Sequence, residues 1–196
     1  MRKINLKENR GYTIVETMIA ISLFLVVIMF GMGSLLNATL LQKKSQDMRS
    51  IMDNLSFIME DMSKNLRTGY DYHCVDDGNF SAVNPHSCAS GGGISFKSSY
   101  GGQWVYKIES TDGGSTFNLS KSVDSGTNWA QLNSGEISFN SASGFSVTGA
   151  EPLPGDTLEP FVTIRLVGTI TSQNNLVTPF SVQTSVSQRL VDITPQ

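Results

Sequence analysis

Between Glu16 and Lys43 the chain runs 26 residues without a charge, and from Met18 to Phe30 Ser22 is the one polar side chain. As a helix rising about 1.5 Å per residue, such a stretch extends roughly 39 Å, enough to cross a hydrocarbon layer of ~30 Å. This feature divides the chain. Residues 17–42 read as a membrane-insertion segment, and the pattern of a water-soluble fold begins beyond them. Residues 1–11 hold Arg2, Lys3, Lys7 and Arg10 against Glu8, a net charge of +3, so residues 12–196 carry −6 within the overall −3. A basic head before an apolar helix stays on the cytoplasmic side and sends the rest of the chain outward. Lys43, Lys44 and Arg49, beyond the far end, weaken that charge contrast.

Two ordinary readings of the apolar stretch compete. One is a secretory signal, with Met18 to Phe30 as its apolar region and Gly31-Met32-Gly33 as a small-residue cleavage site. The other is a plain uncleaved anchor. Glu16 argues against both. A carboxylate at the entrance of an apolar run costs about 2.5–3.5 kcal/mol if drawn to mid-membrane, so such residues tend to be functional.

The string Arg10-Gly11-Tyr12-Thr13-Ile14-Val15-Glu16, opening directly into the apolar helix, resembles the signature of the type IV prepilin family. The shared features are a basic leader, a Gly, an aromatic residue, Glu at the fifth position after the Gly, and an uncharged span. Tyr12 stands where Phe is commoner, and Ile14-Val15 where Leu-Ile or Leu-Leu is usual. The resemblance implies a leader over residues 1–11, a transmembrane and polymerisation helix over 12–41, and a periplasmic or extracellular head over 42–196. It implies that a prepilin peptidase cuts between Gly11 and Tyr12 and methylates the new α-amino group of Tyr12. Glu16 would face the α-amino group of a neighbouring subunit in a filament core, and Gly31 and Gly33 would loosen the helix on assembly. The implied partners are other pilins or pseudopilins, an inner-membrane assembly platform and membrane lipid. The chain would pass once through a bacterial cytoplasmic membrane, N-terminus inside, before assembly into a pilus or a type II secretion-like filament. The later pattern is most similar to W-type minor pilins and J-type minor pseudopilins. A membrane-anchored extracellular binding module that does not polymerise is the alternative.

Beyond the membrane span the helical pattern continues. Leu41, Met48, Leu55 and Met62 recur every seven residues, with Met52, Met59 and Leu66 between them, an apolar stripe opposite Gln, Lys, Asp and Arg. Neither Pro nor Gly interrupts residues 34–68, and Gly69 stands where a left-handed C-terminal cap is expected. One helix over residues 12–68 is predicted, its outer half packed on the head; a free coiled coil is the competing form. Residues 69–93 read as a loop. In an exported chain Cys74 and Cys88 read as a disulfide. A zinc site from His73, Cys74, His86 and Cys88 fits less well, because adjacent His and Cys do not readily reach one tetrahedral ion. Asp76-Asp77-Gly78-Asn79 reads as a tight turn rather than a calcium loop.

From Ile94 onward the period is two. Apolar and polar residues alternate at 94–96, 104–108, 117–119, 137–139, 145–147, 162–167 and 180–186, with turn residues at 112–114, 124–126, 134–135 and 174–175. Half-buried antiparallel strands follow, and with them an α+β fold: a long N-terminal helix packed on an antiparallel pilin-like sheet. The acidic body argues against direct nucleic-acid binding. Two histidines and two cysteines leave little material for metal or nucleophile chemistry. Residues 144–149 miss the nucleophile-elbow spacing by one residue. The reading is therefore a structural subunit, not an enzyme, with no cofactor and no metal.

Overall fold

The computed structural model describes residues 11–82, 84–152, 154, 157–171 and 177–189. Nearly all of the expected leader lies outside the described residues, as does the expected turn at Asn174-Asn175. The chain divides into residues 1–46 and 47–196. A single helix, α1 (Ile14–Thr68), occupies 55 residues. It begins two residues later than the sequence predicts and ends where predicted.

The outer part of α1 buries Ile51, Leu55, Ile58, Met62 and Leu66, a spacing of three and four residues that keeps one face toward the sheet. Leu55, Met62 and Leu66 belong to the expected stripe, and Met48 and Met59 pack at its margin. Met52 and Leu41 do not join it; both are exposed, and Ile51 and Ile58 take the places between turns. The helix stops at Gly69, but not through a left-handed cap. Gly69 keeps negative φ, its N–H donates to Asn65 O at 3.0 Å, and a Cβ there would overlap the Phe96 ring. Glycine is required by this close approach. The last carbonyls of α1 are met by Tyr72, whose hydroxyl donates to Leu66 O and lies 2.9 Å from Gly69 O.

Ten strands follow among the described residues: β1 (Tyr70–Val75), β2 (Cys88–Gly91), β3 (Gly93–Lys97), β4 (Gln103–Ser110), β5 (Phe117–Ser122), β6 (Ala130–Gln131), β7 (Ile137–Phe139), β8 (Gly144–Thr148), β9 (Phe161–Thr171) and β10 (Val177–Ser187). All seven expected strands are present, six of them somewhat longer and β7 with the expected bounds. Residues 69–93 are not simply a loop, because they supply β1 and β2. These strands are made by their neighbours: β1 pairs antiparallel with β3, and β2 with β8.

The sheet runs β1-β3-β4-β5-β7-β9-β8-β2, with β6 added to β5 and β10 to β9. β7 and β8 lie end to end along the same side of β9. Between them the Ser143 hydroxyl donates to Val167 O at 2.7 Å and accepts Val167 N–H at 2.9 Å. The path curls back on itself. Its terminal strands are joined by the Cys74–Cys88 disulfide and by backbone bonds from Cys74 N–H to His86 O and from His86 N–H to Tyr72 O. The fold is thus α+β, with an antiparallel sheet bent nearly into a barrel. Its core gathers Phe96, Tyr106, Leu119, Phe139, Phe145, Ile164 and Leu166 with the buried face of α1.

Candidate functional site

The sequence places its functional residues at the start of α1. Gly11 and Tyr12 precede the helix in irregular, exposed backbone, with Tyr12 83% exposed. Among the described residues nothing lies within 4 Å of a Cβ built on Gly11, and none of them demands glycine there. Glu16 stands in the first turn of α1, and its N–H donates to the Thr13 hydroxyl at 3.3 Å. Thr13-x-x-Glu16 is the Ser/Thr-x-x-Glu arrangement that opens many helices: the hydroxyl satisfies a free N–H and the carboxylate favours the positive helix end. Sequence reasoning missed this capping role for Thr13, although the spacing was legible.

From Ile14 to Leu41 the large apolar side chains of α1 are exposed around its circumference, apart from the half-buried Ile28. The helix reaches a mean hydropathy of 2.5 over its most apolar window, none of it buried within the chain. Three of its hydroxyls close on their own backbone. Thr17 donates to Ile14 O at 2.8 Å, Ser22 to Met18 O at 2.8 Å, and Thr39 to Leu36 O at 2.8 Å. Such back-bonding satisfies a hydroxyl where water is scarce. Gly31 and Gly33 lie in unbroken helix with no atom within 4 Å of a Cβ at either position, so neither is imposed by packing within the chain.

The head grips α1 through a polar cluster around Asp61. Its carboxylate accepts hydrogen bonds from Tyr106 Oη at 2.9 Å, Asn65 Nδ2 at 2.9 Å and Lys121 Nζ at 2.9 Å. Lys121 also lies over the Trp104 ring, 4.6 Å from its centroid. Burial pushes the Tyr106 hydroxyl well above the ordinary tyrosine range, and burial does the same at Tyr72. Both phenols stay neutral and remain donors.

Cys74 and Cys88 form a disulfide, with Cα atoms 5.7 Å apart, and are therefore not metal ligands. Next to them the His73 and His86 rings lie 5.4 Å apart. His73 Nδ1 donates to Asn84 O at 2.6 Å, while His86 Nε2 stands 3.6 Å from Asp76. Among the described residues no group of three His, Cys, Asp or Glu is placed to hold a metal. The stretch from Asp76 to Asn79 forms the expected tight turn: Gly78 takes φ of 79°, and Asn79 N–H donates to Asp77 at 2.8 Å. Trp129 lies against Phe80 and under Lys107, its ring centroid 4.1 Å from the ammonium.

These features define an α+β protein with, among the described residues, one membrane-length apolar helix and a disulfide-linked head. Compared with known proteins, the chain matches no protein family, no curated protein and no solved structure.

Proposed function

We propose that this chain is a structural subunit of a type IV pilin-like filament, a minor pilin or pseudopilin processed by a prepilin peptidase. The observation that carries the proposal is the pairing of a Gly11–Tyr12 junction and Glu16 with an apolar helix exposed all round its circumference. A plain anchor would need the helix but not the carboxylate. On this reading lipid covers the helix in the monomer, and the helices of other subunits cover it in the filament. The peptidase cuts in irregular, exposed backbone at the cytoplasmic edge, where glycine offers no side chain to obstruct access. The methylated α-amino group of Tyr12 remains basic and meets Glu16 of a neighbouring subunit. Gly31 and Gly33 supply the place where the helix loosens on assembly. The inner-membrane assembly platform receives the processed chain, and the head stands outside the membrane.

Intact-mass analysis of protein from its native envelope tests the processing step. The expected chain begins at methylated Tyr12, and Gly11→Val leaves full-length precursor in the membrane. A native chain that retains residues 1–11, or normal maturation of Gly11→Val, contradicts the assignment and favours a tethered module.

A further inference from the structure

β10 is the long edge of the sheet. Among the described residues it pairs with β9 alone, over all eleven residues from Val177↔Thr171 to Ser187↔Phe161. Backbone parity shows what the other edge offers. Gln188 N–H donates to Pro160 O, its register partner, so even-numbered residues of β10 exchange hydrogen bonds with β9. Odd-numbered residues of β9 turn the other way, as Thr171 N–H to Glu136 O and Asn140 N–H to Val167 O show. The odd residues of β10 therefore aim their backbone groups away from the sheet. Pro179 contributes no N–H there, and at the far end Arg189 N–H is taken by Arg67 O at 3.0 Å. Between them Ser181, Gln183, Ser185 and Ser187 present an open run of donors and acceptors.

Exposed edges are commonly guarded by charge, bulges or brevity. Here the eleven residues of β10 carry no charge, the pairing is regular, and Pro179 is the one guard. The two faces beside the edge differ. Phe180, Val182 and Val186 are partly buried against the core, whereas Ser181, Gln183, Ser185 and Ser187 are exposed on the other face.

On that exposed face Arg165 of β9 stands in register with Gln183 of β10 and Gly144 of β8. It opens onto a groove of about 190 Å³ whose lining includes Ser90, Gly144, Ser146, Thr163 and Gln183 and no carboxylate. Gly144 is held small by β2, since a Cβ there would lie 2.9 Å from Gly91 O. Arg165 makes none of the ion pairs among the described residues. A residue opposite Gln183 on an added strand would sit two strand spacings from Arg165, about 10 Å, which a glutamate and an arginine span together.

We propose that the outer edge of β10 receives an extended strand from a partner protein, apolar on one face and carrying an acidic side chain on the other, which pairs with Arg165. Main-chain bonds supply the docking, and the acidic side chain sets the register, as in other strand-addition interfaces. The inference concerns residues 47–196 and holds however the N-terminal helix is used.

The test uses the full chain in detergent with two blocked peptides, Thr-Val-Thr-Val-Glu-Val-Thr-Val-Thr and its counterpart with Gln for Glu. Amide exchange at Ser181, Gln183, Ser185 and Ser187 should slow on adding the Glu peptide. That peptide should bind about threefold more tightly at low salt, as one exposed ion pair allows. Arg165→Gln should remove the preference and keep the protection. Unchanged exchange at the four amides, or equal affinity for the two peptides, overturns the proposal. So does protection that rises with protein concentration alone, which would make a second copy the occupant.

Discussion

Lys121 on β5 places its ammonium 2.9 Å from the Asp61 carboxylate on α1, joining residues 60 positions apart across the helix–sheet junction. Both side chains are largely withdrawn from water, with 16% and 26% of their surfaces exposed. Tyr106 and Asn65 fill other acceptor sites of the same carboxylate. Removing Asp61 would strand an ammonium and a buried phenol together. Asp61→Ala is expected to destabilise the head by about 2 kcal/mol, in the range for hydrogen bonds to charged groups. Lys121→Met, which keeps the stem over Trp104, should cost less. Denaturant unfolding of both variants checks this, and an unchanged midpoint for Asp61→Ala contradicts the clamp.

The disulfide closes the curl of the sheet by tying β1 to β2. Cys74→Ser with Cys88→Ser is expected to cost about 2–5 kcal/mol, as loss of a native bridge typically does in small exported domains. The loss should appear first as faster amide exchange in β1 and β2. Two free thiols in protein from its native envelope, or equal stability of the double variant, would contradict this role.

Two turn carboxylates give the head an acid response. The side chain and N–H of Thr116 hold Asp112 down to about 2, and Asn128, led by its backbone N–H, with Ser122 does the same for Asp124. An unfolded aspartate titrates at about 3.9, so folding favours the ionised form. Their stabilising contribution is fully present above that value and is lost as pH falls toward 2. Carboxyl chemical shifts in the folded chain should show midpoints near 2 at both residues, and midpoints near 3.9 would contradict the turn geometry.

Much of this architecture was legible because it rests on periodicity. The uncharged run and the apolar stripe beyond it mark α1, alternation marks seven strands, and two cysteines in a chain read as exported point to their bridge. The misreadings have local causes. Tyr70–Val75 reads as a loop because turn residues flank it, Gly69 before and Asp76-Asp77-Gly78 after, and so short an alternation becomes β1 only beside β3. Gly69 was placed correctly for the wrong reason, since the Phe96 ring that demands it is remote in sequence. Ile51 and Ile58 are passed over because the expected stripe takes the positions four residues after Met48 and Leu55, Met52 and Met59, whereas the positions three residues after share the same helix face and are the ones buried. At the N-terminus the sequence singles out Glu16 as an expected assembly residue but not its N–H bond to Thr13.

The Glu16 carboxylate also stands at the positive end of α1, so a defect at Glu16 has two origins, and comparing variants separates them. Thr13→Ala removes the cap at a cost of roughly 1 kcal/mol and leaves the carboxylate in place. Glu16→Ala removes the carboxylate itself, and in a filament core would leave a cationic α-amino group unpaired, typically about 3–5 kcal/mol. Glu16→Gln keeps shape and hydrogen bonding but loses charge.

The decisive measurement is the amount of each variant in sheared filaments from cells that process all of them equally. The account predicts near-normal incorporation of Thr13→Ala, partial incorporation of Glu16→Gln and severe loss for Glu16→Ala. Incorporation of Glu16→Ala equal to that of the unmodified chain would contradict it.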